Sequence, residues 1–126
     1  MPASIKQLFV AAIQTVPRVT AEEARSLIAC CNALVVDVRD ETEVAKTGKI
    51  KGAVNVARGL IEFRADADTP YYDAAFQKDR PVILYSASGG QAALAGNTLK
   101  AMGYERVHNL GSFEEATQAG LETEPA

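Results

Sequence analysis

Three groups of residues carry side chains or turns able to do chemistry: the run Ser86-Ala87-Ser88-Gly89-Gly90-Gln91, the adjacent pair Cys30-Cys31, and the single histidine His108. The run is small, holds two glycines, and follows the apolar stretch Pro81 to Tyr85. A turn of this kind points several backbone N–H groups inward, and a helix behind it adds its positive dipole end. The expected result is a cradle for a small anion. A phosphate-binding P-loop is excluded because no Gly-Lys-Ser/Thr follows. The letters Ser88 to Gln91 also match the signature of ABC-type ATPases, but the nucleotide loop that must accompany it is missing. As a nucleophile elbow the run is loose: Gly90 stands two places after Ser88, but Ser86 rather than glycine stands two before. A hydrolytic triad would have to recruit His108 together with Glu105, and His108 sits inside a strand pattern.

The cysteines are neighbours, so they cannot staple distant segments, and a bond between them is open but strained. They precede the run Ala33 to Val38, which places them at the amino end of a strand. The loop 86–91 lies at the carboxyl end of its own strand. In a parallel sheet these are opposite edges, roughly 20 Å apart for a strand of that length. Both cysteines are therefore read as structural.

The elements that must hold the loop follow from hydrophobic periodicity. Ile5, Leu8, Phe9, Ala12, Ile13 and Val16 recur at helical spacing, giving an amphipathic helix within residues 1–16. Thr20-Ala21-Glu22-Glu23 is a capping box that opens a helix to about Ala29. Residues 33–38, 53–56, 81–85 and 106–110 read as strands, and 40–47, 58–64 and 92–102 as helices. A second capping box, Ser112 to Glu115, starts a short helix that Gly120 ends. Residues 65–79 read as a loop with one helical turn around Tyr72 to Phe76, and 121–126 as a loose tail. Strands alternating with helices predict an α/β fold with a central parallel sheet and helices on both faces, as one domain over 1–126. Ligands of such sheets bind beyond the carboxyl ends of the strands, which is where the loop 86–91 falls.

The chain has 126 residues, 48% of them hydrophobic, and a net charge of −3. No cluster of Lys and Arg supplies the positive face that nucleic acid requires, and no apolar run approaches the roughly 20 residues of a membrane span. No secretory leader pattern is present, so a cytoplasmic location is expected. No metal-ligand spacing or cofactor motif is present, and none is expected.

Leu34 to Glu41, Gly48 to Val56, Val82 to Gln91, Met102-Gly103-Tyr104 and Asn109 to Phe113, taken in order, resemble a rhodanese domain. The resemblance runs from about Val19 to Gly120. It implies a three-layer α/β fold and, in active members, transfer of a sulfane sulfur from thiosulfate or another donor through a cysteine persulfide. Active members place the cysteine at the position of Ser86 and commonly an arginine at that of Gln91. Asp37 and Arg39 match the family's Asp-x-Arg pattern and are expected to fix the strand end. Arg58 is a candidate for restoring positive potential at the cradle. With Ser86 and Gln91 in the loop, sulfur transfer is expected to be absent. The loop would bind a small anion (a sulfur oxyanion, sulfate, phosphate or chloride) or a protein partner. The alternative is a sulfurtransferase whose cysteine has been replaced by serine, in nature or by engineering.

Overall fold

Leu34 to Val38 and Val82 to Tyr85 are almost wholly apolar and fully buried, the pattern of strands covered on both faces. In the computed structural model, which describes residues 2–126, they form the centre of a four-stranded parallel sheet. Its strands are β1 (Leu34–Asp37), β3 (Val54–Asn55), β4 (Val82–Ser86) and β5 (Val107–Ser112), in the order β3-β1-β4-β5. Alternation along the strands sends Val36 and Leu84 into one core layer, with Ala92, Ala95 and Leu99 of α5 (Gly90–Ala101) and Ile61 of α4 (Ile61–Ala65). Val35, Ile83 and Tyr85 enter the opposite layer, with Ala24 of α2 (Ala21–Cys31) and Ala116 of α6 (Phe113–Gln118). The α/β architecture with helices on both faces is as expected from the sequence.

The first helix, α1 (Ile5–Thr15), is opened by a capping box that pairs Ser4 with Gln7. It lies on α5, where Gly96 leaves room for Val16: a Cβ at residue 96 would come within 2.9 Å of both Val16 methyls. A short α3 (Glu41–Thr47) and a 3-10 turn over Arg58–Leu60 complete the helical elements.

Residues 72–76 form one isolated turn rather than a helix: the Asp73 carbonyl accepts the Phe76 N–H (3.0 Å) and its carboxylate the Ala75 N–H (2.9 Å). One expectation is corrected: the tail is not loose. Thr123–Glu124 forms β6, antiparallel to β2 (Lys49–Ile50), and Glu124 accepts hydrogen bonds from Lys49 Nζ (2.6 Å) and the Gly52 N–H (3.0 Å).

Candidate functional site

Ser86 ends β4 on the α5 side of the sheet and is 1% exposed. Its Oγ accepts hydrogen bonds from the N–H groups of Gly89 (2.9 Å) and Ala92 (3.3 Å). Ala92 is the third residue of α5, so Ser86 caps a helix that begins four residues after it, where the local cap, Gly89, has no side chain to offer. Among the described residues the N–H groups of Ala87, Ser88, Gly90 and Gln91 have no acceptor. Ala87, Ser88 and Gln91 are exposed. The loop thus leaves four backbone N–H groups unengaged near a buried oxygen, at the positive end of a 12-residue helix.

Two glycines shape it. Gly89 has φ +91°, a left-handed conformation costly for other residues, and a Cβ there would sit 3.3 Å from the Cα of Gly111. Gly111, at φ +98°, follows an irregularity in the β4–β5 pairing: Leu84 faces Asn109 but Tyr85 faces Gly111. That extra residue on β5 lets the buried Asn109 brace the loop. Its Nδ2 donates to the Gly89 carbonyl (3.2 Å) while its Oδ1 accepts the Gly111 N–H (2.8 Å). The bracing role of Asn109 escapes a reading of the sequence. Its only signal is a polar residue in a buried strand, two places before a glycine.

Asp37 and Arg39 lie with Tyr85 on the other face of the sheet from Ser86. The Arg39 guanidinium grips Asp37 through Nε (3.0 Å) and Nη2 (2.7 Å), donates to Thr47 Oγ1 and the Gly48 carbonyl, and stacks 4.2 Å over the Phe113 ring. Burial works against the Arg39 charge, yet the hydrogen bonds and charge of Asp37 outweigh it and hold its pKa above the ordinary value. Burial also raises the Tyr85 hydroxyl pKa, and its oxygen accepts the Ile50 N–H. The pair ties the end of β1 to the end of α3, on the face of the sheet away from the loop.

Arg58 is committed elsewhere. It donates to Glu62 (3.1 Å) and to Thr98 Oγ1 (3.1 Å), and Thr98 lies eight residues along α5 from Gly90, about 12 Å at the helical rise. A positive charge beside the loop comes from an element that lies outside the residues singled out in the sequence. Lys6 and Phe9 of α1 line a cleft with Ser88, Gly90 and Gln91. The signal was an excess of apolar residues: Ile5, Leu8, Phe9, Val10 and Ile13 are more than one buried face needs, and all are exposed.

Cys30 and Cys31 close the last turn of α2, just before β1 at the amino edge of the sheet, and are joined to each other by a disulfide. His108 is the second residue of β5, and its buried Nδ1 has no partner among the described residues. Burial first, then Lys100 and Arg106, lower its pKa. It is not brought to Ser86 or Ser88 by any hydrogen bond. No metal-binding cluster occurs among the described residues, and no helix among them is long and apolar enough to cross a membrane.

The chain is an α/β domain with a glycine-bearing strand-to-helix loop at the carboxyl edge of its parallel sheet. The chain belongs to the rhodanese-like domain family, whose model matches residues 20–119. It is 26% identical over 106 residues to human thiosulfate:glutathione sulfurtransferase, covering 79% of this chain and 91% of that protein. A structure from Rhodopseudomonas palustris, described as a protein of unknown function and possible tyrosine phosphatase, matches at 32% identity with a TM-score of 0.87, over 98% of this chain and 96% of that one. The human single-domain sulfurtransferase shares the fold at 24% identity and a TM-score of 0.67, over 82% of this chain and 96% of that one.

Proposed function

We propose that this chain is a rhodanese-like domain that does not transfer sulfur through its loop and instead uses residues 86–91 to hold a small anion. The observation that carries the reading is the Ser86 hydroxyl, buried at the end of β4 and engaged as acceptor by Gly89 and Ala92. Ser86 stands where the family resemblance places the nucleophilic cysteine. A thiolate attacks readily near neutral pH once its pKa is lowered, whereas a serine hydroxyl needs an adjacent base, and none is hydrogen-bonded to Ser86. Oxygen also cannot carry a transferable sulfane sulfur as a persulfide does. Gln91 brings no charge where an arginine would assist. A phosphate monoester is an anion of suitable kind for the same donors, but cysteine-dependent hydrolysis lacks its nucleophile for the same reason.

The second reading, a sulfurtransferase whose cysteine has been exchanged for serine, draws on the similarity to human thiosulfate:glutathione sulfurtransferase. Codon 86 of the native gene separates the two: cysteine there supports the second reading and serine the first, which a turnover assay then tests. The protein incubated with thiosulfate and cyanide should yield thiocyanate at the blank rate, while sulfate should shift the amide resonances of residues 87–91. Thiocyanate well above the blank overturns the non-catalytic reading. The double variant Ser86→Cys with Gln91→Arg should gain one sulfur in mass after thiosulfate treatment. Its thiolate attacks the sulfane sulfur, the S–S bond of the donor breaks, and sulfite leaves with the electron pair.

A further inference from the structure

The loop is not the whole of the site. Between the N-terminal half of α1 and the start of α5 runs a cleft of about 610 Å³, within the range of small-molecule pockets. Ile5, Phe9 and Leu94 supply its apolar wall, and Lys6, Ser88 and Gln91 its polar groups. It opens directly onto the loop: a Cβ built on Gly90 would lie 3.8 Å from Phe9 Cε1 and 3.8 Å from Ser88 Oγ. The charge there has one sign. Neither α1 nor α5 contains a carboxylate, and Lys6 makes no ion pair among the described residues. The α1 side of the wall lies outside the family match, which begins at residue 20. The match to the Rhodopseudomonas palustris structure covers 98% of this chain and so extends over the α1 residues.

We propose that this cleft extends the loop and takes an organic anion with an apolar body, its charged group against Lys6 and the loop donors and its body between Ile5, Phe9 and Leu94. The inference rests on the anion-binding reading of the loop and names the class of ligand that reading leaves open. An inorganic anion would use the donors alone and leave the apolar wall in water, whereas a neutral apolar molecule would leave Lys6 unused. Burying both kinds of surface requires one ligand carrying both kinds of group.

The test compares octyl sulfate, inorganic sulfate and 1-octanol by calorimetry and by amide chemical shifts on the full chain. Octyl sulfate should bind at least tenfold more tightly than sulfate and than octanol, with shifts at residues 5–9 and 87–94. Phe9→Ala should erase the advantage over sulfate, and Lys6→Gln should weaken octyl sulfate several-fold while sparing octanol. Both side chains are exposed, so neither change threatens folding. Equal affinity for octyl sulfate and sulfate, or an advantage that survives Phe9→Ala, overturns the cleft while leaving the loop reading intact. Loop amides that move with neither sulfate nor octyl sulfate overturn the loop reading, and the cleft proposal with it.

Discussion

Removing one oxygen atom tests the assignment of Ser86 as the loop's internal acceptor. Ser86→Ala deletes Oγ and leaves the N–H groups of Gly89 and Ala92 without their partner in a buried setting. A net hydrogen bond is worth about 1 kcal/mol, and a buried donor left unsatisfied costs about 1–3 kcal/mol. The Ala92 bond is long at 3.3 Å and counts toward the low end. The loss of the cap falls in the same range, about 0.5–2 kcal/mol. The combined cost is about 2 kcal/mol, and for a domain of this size that lowers the melting temperature by about 8 °C. The control is Ser88→Ala, two residues on and exposed, which should stay within about 0.5 kcal/mol. Thermal unfolding gives the first number and hydrogen exchange at Gly89 and Ala92 the second, with both amides losing protection in Ser86→Ala. A melting temperature within 2 °C of the parent, with both amides still protected, would falsify the account of Ser86 as the keystone of the loop.

Two further outcomes follow from the same geometry. Arg39→Met leaves the Asp37 carboxylate buried without its partner and should cost about 3–5 kcal/mol in urea unfolding, while adding Asp37→Leu should return part of it; a single variant as stable as the parent would refute the role assigned to the pair. Stability should also fall in two stages as the pH drops. The folded form holds His108 below its ordinary pKa, so stability is fully present above about 6.5 and declines below it. Glu23, Glu115 and Glu124 are held below the ordinary carboxylate range, the first two mainly by backbone N–H groups of Thr20 and Ser112 and the third by Lys49. Their contribution is present above about 4.3 and is lost as the pH falls through their lowered values. His108→Gln should flatten the first stage in a melting-temperature series and leave the second; an unchanged first stage removes His108 from the argument.

What could be read from the residues alone was local. The apolar runs of β1 and β4, the capping boxes at Thr20 and Ser112, and the position of the loop after β4 all show in windows of a few residues, where periodicity and cap chemistry operate. Even the separation of Ser86 from Arg39 is implicit in strand parity, since Tyr85 and Ser86 must face opposite sides. Other features depend on docking across the chain. Asn109 reaches Gly89 because β5 carries one extra residue at its pairing with β4, and the only mark of that register shift in the sequence is the glycine two places after Asn109. The cleft requires α1 to lie on α5, a placement set by Val16 fitting beside Gly96. β2 and β6 are two residues each, too short to display any alternation.

The pairing of β2 with β6 bears on the order in which the fold can be completed. The Lys49–Glu124 contact joins residues 75 apart in sequence, and its closure costs least once the sheet has already fixed the chain between them. A ribosome makes residue 49 long before residue 124, and the four-stranded sheet needs nothing beyond Ser112. During synthesis, then, the parallel sheet can assemble while β2 still waits as an open edge with unpaired backbone groups. Lys49 and Lys51, flanking that edge with like charge, give the nascent chain some protection against pairing with a neighbour of its own kind until Glu122 and Glu124 arrive to neutralise them.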